Sequence, residues 1–324
     1  MKTIILTLGI LTMASSAALA DGLSDAKRGF AAAQAGNYDE AVYFSSLAIH
    51  SGELKPKTLS IAYNNRGFSQ DRLGRGDRAL RDYSLAIQVD PNFAVAFNNR
   101  GYALNELGEY RLALSDFDRA IKIRPEYADA FNNRGIARTH LGANQFAIAD
   151  YTRAIELKPN LYQAYNNRGY ARFNEGEFDA AARDLKVSLE RRSTNGFTML
   201  WYYLARHRAG AADAEADLRR QTSGAIDPAT WQGAVIGLFL GDVSVAELKR
   251  AAGSDDPNVR LEQECELYFY LGQYHLLRGD VAAAEAALNR AIETGVRDFT
   301  EYAGAIAELK RLEMTNLENG KKLQ

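Results

Sequence analysis

Apolar and polar positions recur along this chain with a period of 34 residues. Asn-Asn-Arg-Gly stands at 64–67, 98–101, 132–135 and 166–169, and the residues around it keep the same register. With Gly67, Gly101, Gly135 and Gly169 counted as position 8 of a unit, an aromatic residue sits at position 4 (Tyr63, Phe97, Phe131, Tyr165) and a second glycine at position 15 (Gly74, Gly108, Gly142, Gly176). Alanine follows at position 20 (Ala79, Ala113, Ala147, Ala181) and a bulky residue at position 24 (Tyr83, Phe117, Tyr151, Leu185). Ala86, Ala120 and Ala154 complete the stripe, and Pro91, Pro125 and Pro159 close three units. This period predicts antiparallel helix pairs, which must stack because one pair alone cannot bury its apolar face.

Each repeated residue has a physical task. Glycine at position 8 and alanine at position 20 lie where the two helices of a pair cross, and larger side chains would hold them apart. Glycine at position 15 supplies the positive φ that ends the first helix, and proline at position 32 ends the second. This set of residues resembles the tetratricopeptide repeat (TPR) family. The resemblance implies an all-α, right-handed TPR solenoid of antiparallel helix pairs, with a helical, TPR-like carboxy-terminal part. Four units are recognisable, the last decaying after Gly176. A partial unit precedes them (Gly29, Gly36, Tyr38, Ala41, Ala48), with a four-residue insertion before Tyr63. Another closes the chain at Tyr268, Gly272, Gly279, Ala284 and Ala291. The expected organisation is an export signal over 1–20, a solenoid over 21–194, a helical TPR-like segment over 195–262, and a final TPR-like unit with a tail over 263–324.

The repeated polar residues are the candidates for function. In such a solenoid the first helix of each pair lines an inner groove, so position 6 (Asn65, Asn99, Asn133, Asn167) is expected to form a column there. A carboxamide offers a donor and an acceptor side by side and pairs with an extended peptide backbone whatever its sequence. Asn64, Asn98, Asn132 and Asn166 at position 5 are expected to face the same groove and to disfavour an apolar client. Phe68, Tyr102 and Tyr170, with Ile136, stand at position 9 as apolar contacts. The competing reading is that asparagine is simply the residue this repeat most often carries at position 6. Arginine at position 7 (Arg66, Arg100, Arg134, Arg168) recurs with aspartate at position 23 (Asp82, Asp116, Asp150, Asp184). These are expected to form structural ion pairs between the two helices of a hairpin, client binding being the competing role.

Composition narrows the picture. The net charge of −2 lacks the basic stripe that nucleic acid demands. Lys2, the apolar run Ile4 to Leu11 and Ala18-Leu19-Ala20 form the three-part pattern of a cleavable export signal, so a soluble periplasmic product is expected. The single cysteine, Cys265, is far from the cleavage point, so no lipid anchor is expected. It reads as a packed helix residue rather than a reactive thiol. Four scattered histidines give no metal-ligand spacing, and no phosphate loop, nucleophile elbow or zinc-protease helix occurs. No cofactor, metal or catalytic residue is assigned.

The last third carries runs of its own: Leu200-Trp201-Tyr202-Tyr203-Leu204-Ala205, Trp231, Leu238-Phe239-Leu240-Gly241-Asp242, Leu267-Tyr268-Phe269-Tyr270-Leu271-Gly272 and Phe299-Thr300-Glu301-Tyr302. In order and spacing these resemble the NlpI family of bacterial envelope proteins. That resemblance implies a homodimeric, non-enzymatic periplasmic adaptor that holds peptidoglycan hydrolases and presents some of them to a tail-specific PDZ serine protease. The chain departs from that family in lacking the acylated cysteine and in having more regular repeats. The alternative is a structural subunit of an envelope secretion or polymer-export machine.

Overall fold

The computed structural model describes residues 21–191, 196–297 and 299–322, so the expected export signal lies outside the described residues. The described residues contain seventeen α-helices and no strand. They divide into two compact units, one ending at Pro125 and the next beginning at Glu126, a division inside the span read from sequence as one solenoid.

The amino-terminal unit is three hairpins: α1 (Gly22–Gln34) with α2 (Tyr38–His50), α3 (Pro56–Arg72) with α4 (Gly76–Val89), and α5 (Ala94–Glu106) with α6 (Tyr110–Ile123). Gly74 and Gly108 turn their hairpins at φ +72° and +75°, a region that costs a side chain dearly. The four-residue insertion becomes helix: α3 has 17 residues against 13 in α5, one extra turn at its start, with Pro56 in the first turn where a missing N–H costs nothing. At the crossing, a Cβ on Gly101 would stand 2.8 Å from Cε1 of Phe117, whose ring is fully buried. Glycine at position 8 therefore seats the aromatic at position 24.

The carboxy-terminal unit continues with α7 (Ala128–His140) and α8 (Asn144–Leu157), α9 (Tyr162–Asn174) and α10 (Phe178–Arg191), and α11 (Gly196–Arg208) and α12 (Ala214–Thr222). Then come α13 (Trp231–Leu240), α14 (Val245–Ala251), α15 (Pro257–Leu277), α16 (Val281–Glu293) and α17 (Thr300–Lys322). The α11–α12 hairpin is a fifth repeat. Its turn residue Gly210, φ +85°, follows Gly176 by one full period. Tyr203 replaces the glycine at position 8 and Glu215 the alanine at position 20, so the helices cannot cross closely, and α12 is only nine residues long.

The largest core of this unit gathers around Trp201. Its indole stacks on Phe269 at 5.0 Å and meets Phe173 edge-on at 4.9 Å. Aromatic pairs in these geometries add about 0.5–1.5 kcal/mol beyond the area they bury. Cys265 is buried on α15.

Candidate functional site

Three of the four position-5 asparagines, expected to face an open groove, are instead buried. Asn64, Asn98 and Asn132 are buried, each donating its Nδ2 to the Oδ1 of the asparagine after it, at 3.3–3.4 Å. In the amino-terminal unit Asn99 Nδ2 donates to Asn64 Oδ1 at 3.0 Å, joining α5 to α3. In the carboxy-terminal unit Asn167 Nδ2 donates to Asn132 Oδ1 at 3.1 Å, joining α9 to α7. Asn166 is half-buried and accepts from Thr198 Oγ1 of α11. Neighbouring first helices come close enough for these short amides to meet. Position 5 thus serves hairpin stacking, and the half-buried Asn65, Asn99, Asn133 and Asn167 already engage it in part.

Arginine and aspartate meet in all four hairpins. Arg66 holds Asp82 through two hydrogen bonds of 2.7 and 2.8 Å, as Arg100 holds Asp116. Arg134 holds Asp150 at 2.6 and 2.9 Å, and Arg168 holds Asp184 at 2.8 Å twice. The four aspartates are buried, and the planar fork of arginine satisfies both carboxylate oxygens. Two further rows escaped the sequence reading. Position 11 adds a second donor to the same carboxylate from Gln70, Arg138 or Arg172, at 2.7–3.0 Å. A hydroxyl on the second helix of the preceding hairpin accepts from the arginine: Ser46 from Arg66, Ser84 from Arg100 and Thr152 from Arg168. The arginine thus binds its own hairpin to the one before. The signal was present, since Ser84 and Thr152 precede their arginines by the same 16 residues that separate arginine from aspartate.

The exposed apolar side chains of the amino-terminal unit lie partly on its second helices, at Tyr43, Leu47, Leu85 and Leu112, and partly at positions 2 and 9 of its first helices. α1 adjoins α3 and α3 adjoins α5, so equivalent positions form rows. Leu23 and Ile61 at position 2 are 43% and 38% exposed, and Phe30, Phe68 and Tyr102 at position 9 are 49%, 39% and 41% exposed. Tyr38 of α2 meets Phe68 edge-on at 6.2 Å, and the guanidinium of the exposed Arg72 lies 5.7 Å from the Tyr38 ring. Sequence reasoning found Phe68 and Tyr102 but passed over Phe30, Leu23 and Ile61, because Phe30 and Leu23 stand in the partial first unit, which carries no Asn-Asn-Arg-Gly, and position 2 repeats no one residue type.

In the carboxy-terminal unit the corresponding surface is partly covered by its own chain. Trp201 takes the place of asparagine at position 6 of α11 and donates to Glu301 Oε1 of α17 at 3.3 Å. Glu308 of α17 accepts from Arg208 at 3.0 Å and Gln273 at 3.2 Å, and also pairs with Arg311. Arg311 donates to the carbonyls of Phe173 and Asn174, neutralising the carboxy-terminal end of α9. α17 therefore lies across α9 and α11. Tyr170, expected as a ligand contact, packs on Trp201 at 5.0 Å and shares a hydrogen bond with Thr198, and burial pushes its phenol up to about 12.

Two acids in this unit sit among aromatic donors. Burial, and next the charge of Glu301, push the Glu266 carboxyl up to about 7. Burial also raises Glu301, which accepts from Tyr270 at 2.8 Å. Trp231 Nε1 donates to Glu266. Among the described residues no group of three or more His, Cys, Asp or Glu side chains is placed to hold a metal ion. No helix among them is long and apolar enough to cross a membrane.

Stacked hairpins, most of them with small residues at the crossing and glycine at the turn, define a helical-repeat protein. Residues 94–127, 128–161 and 240–298 match models of the tetratricopeptide repeat. The fold is similar to that of PilW, a widely conserved type IV pilus biogenesis factor, at 21% identity over 63% of this chain and 92% of that one, with a TM-score of 0.56. PilF of Pseudomonas aeruginosa matches at 19% identity over 63% and 92%, TM-score 0.54. A tetratricopeptide repeat protein of Parabacteroides merdae matches at 17% over 87% and 98%, TM-score 0.54.

Proposed function

We infer that this chain is a non-enzymatic adaptor of the bacterial periplasm that binds other proteins through the inner face of its amino-terminal unit. The carrying observation is the pair of exposed apolar rows there, Leu23 and Ile61 beside Phe30, Phe68 and Tyr102. Large side chains left bare in register on neighbouring elements mark a surface for a partner, whereas single exposed apolar residues do not. The partners proposed from the resemblance to the NlpI family are peptidoglycan hydrolases and a PDZ serine protease, with a homodimer as the assembly. Export rests on the residue pattern of 1–20.

Capture from periplasmic extracts with the intact chain and with Phe68→Ser combined with Tyr102→Ser tests the reading. The variant is expected to lose hydrolase and protease recovery while keeping the wild-type melting midpoint. Equal recovery of both would refute binding at this face. Salt-resistant recovery of one large complex by both proteins would instead point to a structural subunit of an export machine.

A further inference from the structure

The rows that carry this proposed function also define the shape of what sits on them. The geometry points to an amphipathic α-helix of the partner, laid across α1, α3 and α5 with its apolar stripe held between the two rows. This inference rests on the reading of that face as the binding surface, and goes beyond it in naming the occupant.

Three observations carry it. The first is the state of the floor. An extended peptide brings unpaired backbone N–H and C=O groups that must find partners when desolvated. The asparagines that would supply them already direct part of their hydrogen bonding to one another: Asn99 donates to Asn64, Asn64 to Asn65 and Asn98 to Asn99. A helix satisfies its own backbone and asks only for apolar contact.

The second is spacing. Positions 2 and 9 are seven residues apart on one helix, a rise of about 10 Å, matching the roughly 10–12 Å diameter of an α-helix with its side chains. Along each row the step between neighbouring helices is about 8–10 Å, close to the rise of about 10 Å between residues i and i+7 of a crossing helix. Apolar residues at i and i+7 would meet Phe30 and Phe68, and those at i+3 and i+10 would meet Leu23 and Ile61.

The third is precedent within the chain. In the carboxy-terminal unit, first helices α9 and α11 are already crossed by a helix, α17, seated through Trp201, Arg208 and the end of α9.

The test uses the full chain and three labelled synthetic peptides of roughly 18 residues, five helical turns. The first carries leucine at heptad-spaced positions with Glu and Lys elsewhere; the second keeps the leucines but replaces two interior polar residues with proline; the third scrambles the first. Fluorescence anisotropy is expected to show the first binding at least about tenfold more tightly than either control, with a similar loss in the Phe68→Ser, Tyr102→Ser variant. Far-UV circular dichroism is expected to show the bound peptide gaining helix. Equal binding of the proline peptide, abolished by the same variant, would overturn the helical occupant while leaving this face as the protein-binding surface. Binding that the variant does not alter, or no binding by any peptide, would overturn the inference outright, whereas the adaptor reading is judged separately by periplasmic capture.

Discussion

The ion pair between Arg100 and Asp116 is the cleanest place to measure what the repeated arginine does. In the other three hairpins a side chain at position 11 also reaches the aspartate, so removing one donor leaves another. Position 11 here is Leu104, which has no side-chain donor. The Asp116 side chain is only 7% exposed, and its partner is 27% exposed. Arg100→Ala therefore strands a buried carboxylate, at a cost of about 3–5 kcal/mol. Asp116→Ala is milder, about 1–3 kcal/mol, because the guanidinium keeps Ser84 and some water. Removing both leaves no unpaired charge, so the double variant should lose less than the sum, with a coupling of about 2–3 kcal/mol. Charge reversal should behave alike, Arg100→Asp restoring part of what Asp116→Arg removes. Urea denaturation of the four chains of the alanine cycle gives the numbers, and hydrogen exchange on α5 and α6 localises them, since solenoid stability sums hairpin and interface contributions. A coupling below about 0.5 kcal/mol, within the scatter of independent sites, would refute the register role.

Gly101→Val should cost about 3 kcal/mol or more, because the new Cβ meets the buried Phe117 ring at 2.8 Å; an unchanged melting midpoint would contradict the crossing geometry. Asn99→Ala should lower stability by about 1–3 kcal/mol by leaving the Asn64 carbonyl oxygen unpaired, with no loss of peptide binding, and a selective loss of binding would return the asparagines to the site. Glu266 binds its proton more tightly folded than unfolded, so its contribution is complete below the ordinary carboxyl range and is lost as pH rises toward about 7. Between pH 5 and 8 the carboxy-terminal unit should lose up to about 3 kcal/mol, and Glu266→Gln should flatten that slope in a pH series of urea titrations.

The parts of this protein that were legible in its sequence are those where one backbone or packing requirement admits one or two residue types. Glycine at positions 8 and 15 and the arginine–aspartate pairing belong here, because close crossing, positive φ and a bidentate fork each exclude nearly every substitute. Requirements that several residue types meet equally left no such trace. Position 11 is filled by Gln70, Leu104, Arg138 and Arg172, so its service to the aspartate is invisible as a repeated letter. Gly210 kept its place but lost its company, since Tyr203 and Glu215 replaced the small residues that would have identified the hairpin. The asparagines show the opposite failure. They repeat in all four central hairpins, yet they serve the contact between neighbouring first helices. A residue that meets a partner is free to differ from one hairpin to the next, and on the proposed reading this is why position 9 carries Phe30, Phe68 and Tyr102 in the amino-terminal unit, while Tyr170 at the same position packs on Trp201. In a repeat protein the strictest column therefore points to the scaffold, and the exposed, varying column beside it is where partner choice is written.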